Sequence, residues 1–282
     1  MGQISMRRGW AQTAGAAMGL CALMLALALP VAAAERGKLR AFLDITGFDV
    51  ALESMSLSAA DAPAMLGMDA GDFGGQWRDV VDDVFAAQGV KDLALDILEN
   101  TLSDELLGHA AGFYASDLGQ RLVEVENVAH MREDTAVIEA DGAIAWEVAS
   151  RERQAILDRL MQAVGGTEGS IRAIREVQVR FLMAALAAGV VEYDIDEATL
   201  RAILAEGDAA LDADLVRMGQ HTAALTYASI SDADLEAYTV ALEAAQMKQV
   251  YELMNAIQFE IMANRFEALA LRMAMIEQGQ PL

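Results

Sequence analysis

The sequence predicts an all-α protein: a helical bundle or array of two related helical units with a long C-terminal helix. Three observations carry that expectation. Alanine, leucine, methionine and glutamate dominate while the chain holds only three prolines, a balance that favours helix. No run alternates apolar and polar residues for long enough to make a strand. Near the C-terminus Val250, Met254, Ile257 and Ile261, then Phe266, Leu269, Met273 and Ile276, recur at steps of three and four, one apolar stripe on a helix.

The elements follow in order. Arg7 and Arg8 precede an uncharged run with an apolar core from Met18 to Leu29, then Pro30 and Val31-Ala32-Ala33-Ala34 before the first acid, Glu35. That order is a secretory signal peptide over 1–34, with cleavage expected after Ala34 and a periplasmic mature protein without an integral membrane span. Uncharged from Gly9 to Ala34, the same segment is long enough to serve as an anchor if retained; the proline and the alanine triplet favour removal. The single cysteine, Cys21, lies inside the signal. Thiol nucleophiles, redox pairs and cysteine metal sites are thereby excluded from the mature chain.

Helices are expected over 36–57 with a break at Gly47, 76–88 and 90–100 split by Gly89, 103–115, 117–135, 143–164, 168–188, 197–206 and 208–228. The last starts at a capping-box-like Ser231-Asp232-Ala233-Asp234 and, unbroken to Ile276, would be about 68 Å long. The stretch 67–75, rich in glycine and aspartate, reads as a loop, as do "EADGA" (139–143) and "VGGTEGS" (164–170). Sliding the chain by 128 residues lays Leu102-Ser103-Asp104 over Ile230-Ser231-Asp232, Leu107 over Leu235, Glu124 over Glu252 and Asn127 over Asn255. This weak repeat suggests one unit over 35–141 and a second, degenerate one over 142–282.

The formal charge is −23, and becomes −25 once the two signal arginines are gone. Such acidity repels phosphates, so nucleic acid and anionic membranes are poor partners. A phosphate loop or dinucleotide fingerprint is missing from 67–75, which has glycines but no lysine. A calcium loop fails at "EYDIDEATLRAILA" (192–205), where Ala198, Thr199 and Ala205 stand at the fifth, sixth and twelfth places; Asp196 reads instead as a helix cap. Asp82 and Asp83 are adjacent on a helix and point apart, unlike a glycosidase pair. The mature methionines read as core filling, with only Met65/Met68 and Met273/Met275 close enough to suggest a thioether site.

"GFYASDLGQRL" (112–122) reads as a joint between helices. Phe113 and Tyr114 would anchor its packing, Ser116 would cap the second helix, and Gly119 would permit a close backbone approach. A catalytic alternative would pair Ser116 or Tyr114 with His109. The longer stretch "LSDELLGHAAGFYASDLGQRLVE" (102–124) resembles the periplasmic helical family catalogued as domain of unknown function twenty fifty-nine. The resemblance rests on an F-Y-x-S-x-x-G-Q box at Phe113, Tyr114, Ser116, Gly119 and Gln120, followed by Arg121. It implies an exported all-α protein without an assigned activity, cofactor or catalytic residue; in the second unit Ala241-Leu242 and Met247 replace the aromatic pair and the glycine.

One further constellation could bind a metal. Glu126, His130 and Asp134 stand at i, i+4 and i+8 and share a helical face, although zinc would need another nitrogen or sulfur ligand. No catalytic set and no cofactor site emerges. The expected function is a non-enzymatic interaction module of the cell envelope, binding a protein or peptide partner through an apolar, methionine-bearing groove. The alternative is a periplasmic protein that binds a metal or small ligand through carboxylates with His109 or His130.

Overall fold

Side-chain caps fix where many helices begin. Ser103, Ser116, Asp134, Ser150, Asp196 and Ser231 each accept the backbone N–H three residues on, satisfying a donor that the first helical turn leaves free, at about 1 kcal/mol per cap. The computed structural model describes residues 35–277; the signal segment, its cleavage point and Cys21 lie outside the described residues. In chain order the helices are α1 (35–46), α2 (Phe48–Glu53), α3 (Met55–Ala59), α4 (Gln76–Val84), α5 (Ala87–Thr101), α6 (Asp104–Tyr114) and α7 (Asp117–His130). There follow α8 (Thr135–Val148), α9 (Arg151–Ala163), α10 (Gly166–Ala188), α11 (Glu197–Ala205), α12 (Asp208–Thr226), α13 (Asp232–Glu243) and α14 (Ala245–Glu277). Two 3₁₀ turns, Ala62–Leu66 and Ala70–Phe73, join α3 to α4. Among the described residues there is no strand, as the sequence predicts.

Helix α14 is the spine. It packs along α10 and against α4, α5, α6 and α13, burying Val250, Met254, Ile257, Ile261, Phe266, Leu269 and Met273 almost completely. Its apolar stripe is therefore spent inside the molecule's own core. Helices α8 and α12 form a second closely packed pair, and α9 packs against α12 and α13. One apolar cluster runs from Leu39 to Ala274, drawing on residues either side of the 141/142 boundary expected from sequence. Among the described residues no helix is long and apolar enough to cross a membrane.

Several expectations need correction. The C-terminal helix is not continuous from Ser231: Ala244 takes an extended ψ of 139° and separates α13 from α14, whose 33 residues make a rod of about 50 Å. The 139–143 segment is no loop but lies within α8. Its Gly142 is there because α12 crosses so closely; a Cβ at that position would sit 2.6 Å from the carbonyl oxygen of His221. The predicted 143–164 helix breaks at Ala149, with Ser150 capping α9. Gly89 lies inside α5, and the break falls instead at Phe85-Ala86, where Phe85 is buried edge-on against Phe266. Residues 67–75 are likewise ordered: Asp69 and Asp72 make a reciprocal capping box, and buried Phe73 packs beside Trp77.

Candidate ligand-binding site

The 112–122 joint sets the position of everything around α7. Ser116 Oγ accepts from Gly119 N at 3.1 Å, and Gln120 Nε2 donates to the carbonyl of Tyr114 at 2.6 Å. Gly119 lies against the end of α6 so closely that a Cβ would fall 2.5 Å from Phe113 O and 2.7 Å from Tyr114 O. Phe113 stacks on Tyr238 of α13, with centroids 5.7 Å apart and planes within 7°. Ser116, Gly119 and Gln120 thus hold the corner, while the aromatic pair reaches inward. Arg121 leaves the corner to pair with Asp234 at 3.0 Å.

What the joint orients is a buried polar cluster. Glu126, three turns along α7, turns its carboxyl inward. Tyr227, which ends α12, donates to Glu126 Oε1 at 2.6 Å, and Tyr238 donates to the same oxygen at 2.8 Å. Tyr114 and Tyr251 stand behind: the Tyr114 and Tyr251 hydroxyls are 2.5 Å apart, and each lies within 3.2 Å of Tyr238 Oη. Each hydroxyl has one proton. Since Tyr238 gives its proton to Glu126, it accepts from one of the other two, and the remaining hydroxyl donates to its neighbour. The result is a relay of three O–H donors ending on the carboxyl, each polarising the next. Arg153 of α9 fixes one side of it, donating to the carbonyls of Tyr227 and Ile230 and pairing with Asp232.

Burial raises the Glu126 carboxyl above its ordinary value, and the two tyrosine donors pull it back only in part. Burial also pushes the Tyr114, Tyr227, Tyr238 and Tyr251 hydroxyls up, so all four stay protonated. No ion pair among the described residues reaches Glu126. His130, one turn along the same helix, is held below its usual range by desolvation, which favours the neutral ring.

Glu126 opens onto a cavity of about 340 Å³ lined from the end of α1 and from α2, α7, α9, α12, α13 and α14. Its apolar wall includes Phe48, Ala51, Leu160, Val164 and Ala223; polar groups converge from Asn127, His130, Thr222, Asn255 and Gln258, with Tyr227, Tyr238 and Tyr251 beside the carboxyl. Glu126 is the one charged acid or base in the lining, which holds no lysine or arginine. Asn127 Oδ1, facing Gly47, is buried without a partner. The size lies at the small end of the roughly 300–1,000 Å³ of ligand pockets, and the mix of apolar wall and few convergent polar groups is theirs too.

The sequence-predicted residues distribute as follows. Glu126 and His130 share the cavity, but Asp134 is taken up as the cap of α8, accepting from Val137 N at 3.0 Å. The three are not assembled as ligands, and no group of three or more His, Cys, Asp or Glu among the described residues is placed to hold a metal ion. The Ser116–His109 pairing does not form either: the serine is engaged by Gly119 N and His109 is exposed on α6. Asp196 caps α11, and its bond from Thr199 N lowers its carboxyl. Met273 is fully buried, Met65 and Met68 pack against the core, and no methionine lines the cavity. Tyr114 is an anchor whose hydroxyl also joins the cluster. Sequence reasoning missed Tyr227, Tyr238 and Tyr251. The available signal was compositional: four of the chain's five tyrosines converge on one carboxylate.

Residues 88–144 match the family described as "Uncharacterized protein conserved in bacteria (DUF2059)", over about a fifth of the chain. The matched stretch runs from α5 into α8 and contains Tyr114 and Glu126; Tyr227, Tyr238 and Tyr251 lie beyond it. No curated protein and no solved structure matches the chain.

Proposed function

We propose that this protein is an exported, non-enzymatic binding protein of the cell envelope that takes a small ligand into the cavity beside Glu126. One observation carries the reading: a mostly apolar cavity in which a single half-buried carboxyl is oriented by two tyrosine hydroxyls. A buried polar cluster is costly unless satisfied, and here the donors gather on one oxygen of Glu126. The basic, apolar and small-residue order of 1–34 supports export. Binding without turnover is favoured because the one serine–histidine pair offered by the sequence is not assembled and the tyrosines are held protonated.

A peptide- or protein-interaction role has a narrower support. Its motive, the stripe of α14, is buried; what remains is the exposed line of Val137, Ile144 and Val148 on α8, one face at i, i+7 and i+11. Native mass spectrometry of protein purified from its own envelope without denaturation separates the readings. The ligand reading expects a small non-covalent adduct that is lost in Ala223→Leu, which fills the cavity. Protein that carries no small species in either form, and instead retains a polypeptide partner, would overturn it.

A further inference from the structure

We propose that the cavity ligand is a small organic cation whose ammonium group pairs with Glu126. This rests on the ligand-binding reading and names the chemistry of its occupant. Both tyrosine donors reach Oε1; among the described residues no donor bonds Oε2 of a side chain that lines the cavity. The carboxyl has half its accepting capacity left and no positive partner, and a half-buried carboxylate that faces a mostly apolar cavity gains from one. Nothing else in the lining supplies a fixed positive charge, since arginine and lysine are missing from it, and no ion pair among the described residues joins His130 to Glu126.

The rest of the wall suits a cation of organic type. Phe48, Tyr227, Tyr238 and Tyr251 contribute four aromatic rings to the lining, with Phe48 and Tyr251 packed edge-to-face at 5.5 Å, and ring faces attract ammonium groups. The apolar wall of Ala51, Leu160, Val164 and Ala223 would take the hydrocarbon body. A bare divalent ion is poorly served, because hard cations want six or more oxygen ligands or a set of nitrogen and carboxylate donors, and one carboxylate stands here. The chain's net charge of −23 draws cations toward it in general. An anionic ligand would meet Glu126 with nothing to offset it.

Three probes with one ring and three charges test this: cyclohexylammonium, cyclohexanol and cyclohexanecarboxylate, titrated calorimetrically into the exported full-length mature protein at neutral pH. The expected result is an ammonium affinity about tenfold or more above that of the alcohol, with no carboxylate binding. Glu126→Gln should erase that preference and leave alcohol binding in place, with circular dichroism reporting that the variant is folded. Glu124→Gln, which removes an exposed carboxylate of the same helix outside the lining, should retain the ammonium preference and guards against a general effect of lost negative charge. Equal binding of ammonium and alcohol, a carboxylate preference, or a preference that survives Glu126→Gln would overturn the cation inference while leaving the cavity a ligand site. Failure of all three probes to bind at millimolar concentration would overturn both.

Discussion

Gly119→Ala tests the joint on which the position of α7 depends. In an ordinary helix interior the change would stabilise by up to about 1 kcal/mol, because alanine restricts the unfolded chain and suits the helix. Here the added methyl would lie 2.5 Å from Phe113 O, 2.6 Å from Tyr114 Cα and 2.7 Å from Tyr114 O. All three are backbone atoms at the end of α6, so no side chain can rotate away. Overpacking of that kind costs about 1–3 kcal/mol, and the rigidity of backbone places this site toward the upper end. The net expectation is a loss of about 2 kcal/mol, or a Tm lower by about 4–8 °C for a domain of this size. Gly108→Ala and Gly112→Ala are the controls: both glycines are exposed within α6, with nothing within 4 Å of an added Cβ. Those variants should be neutral or more stable by up to about 1 kcal/mol. Urea denaturation followed by circular dichroism orders the three. A Gly119→Ala protein as stable as Gly112→Ala would refute the close-approach argument.

Gly142→Ala should destabilise for the same reason at the α8–α12 crossing, by about 1–3 kcal/mol, since its Cβ would meet the His221 carbonyl at 2.6 Å; thermal melts check it, and an unchanged Tm counts against the crossing. Tyr238→Phe removes one donor from Glu126 Oε1 and interrupts the hydroxyl relay, an expected loss of about 1–3 kcal/mol in the urea midpoint, with no change foreseen for Tyr193→Phe, whose side chain is exposed. The pH dependence of stability should carry a signature of Glu126. Burial raises its folded-state carboxyl above the unfolded value, so the native state holds the proton more tightly. That contribution is fully present below the unfolded carboxyl's pKa, about 4.3, and is lost as pH rises through the raised native value. Glu126→Gln should therefore show a shallower fall in stability toward neutral pH than the unsubstituted protein, and parallel urea profiles between about pH 4 and pH 8 would contradict the direction of the shift.

Local signals in the sequence located most helices and missed what depends on partners distant along the chain. Ser103, Ser116, Asp196 and Ser231 were recognisable because a cap works through the residue three places on, which the sequence displays. Gly47 ended a helix as expected, taking φ of 74°. Gly142 was misread because glycine looks the same whether it breaks a helix or admits another one, and only the packing of α12 distinguishes the two. Ala244 carries no breaker chemistry at all; the turn there falls between Leu242 and Met247, both fully buried. The site was half visible. Glu126 stood out as a possible ligand through its spacing to His130, but the residues that define its chemistry come from positions 101 and 112 places further on, beyond any spacing rule.

The offset of 128 residues bears on how that site is built. Helix starts recur at it: α6 at Asp104 and α13 at Asp232, α7 at Asp117 and α14 at Ala245, with Ser103 and Ser231 as corresponding caps. The corners themselves diverge. Where Ser116 and Gly119 allow α7 to lie against the end of α6, their counterparts are Ala244, which carries no capping oxygen, and Met247, a fully buried side chain that fills the space instead. Tyr238 and Tyr251 correspond to Ala110 and Val123, and Tyr114 to Leu242. The hydroxyls thus occupy positions that are not equivalent between the two stretches, and the acceptor and most of its donors come from different ones: Glu126 and Tyr114 before residue 141, Tyr227, Tyr238 and Tyr251 after it. A carboxyl buried at such a junction is costly whenever its donors are elsewhere. The two stretches therefore share one polar cluster as well as one apolar core.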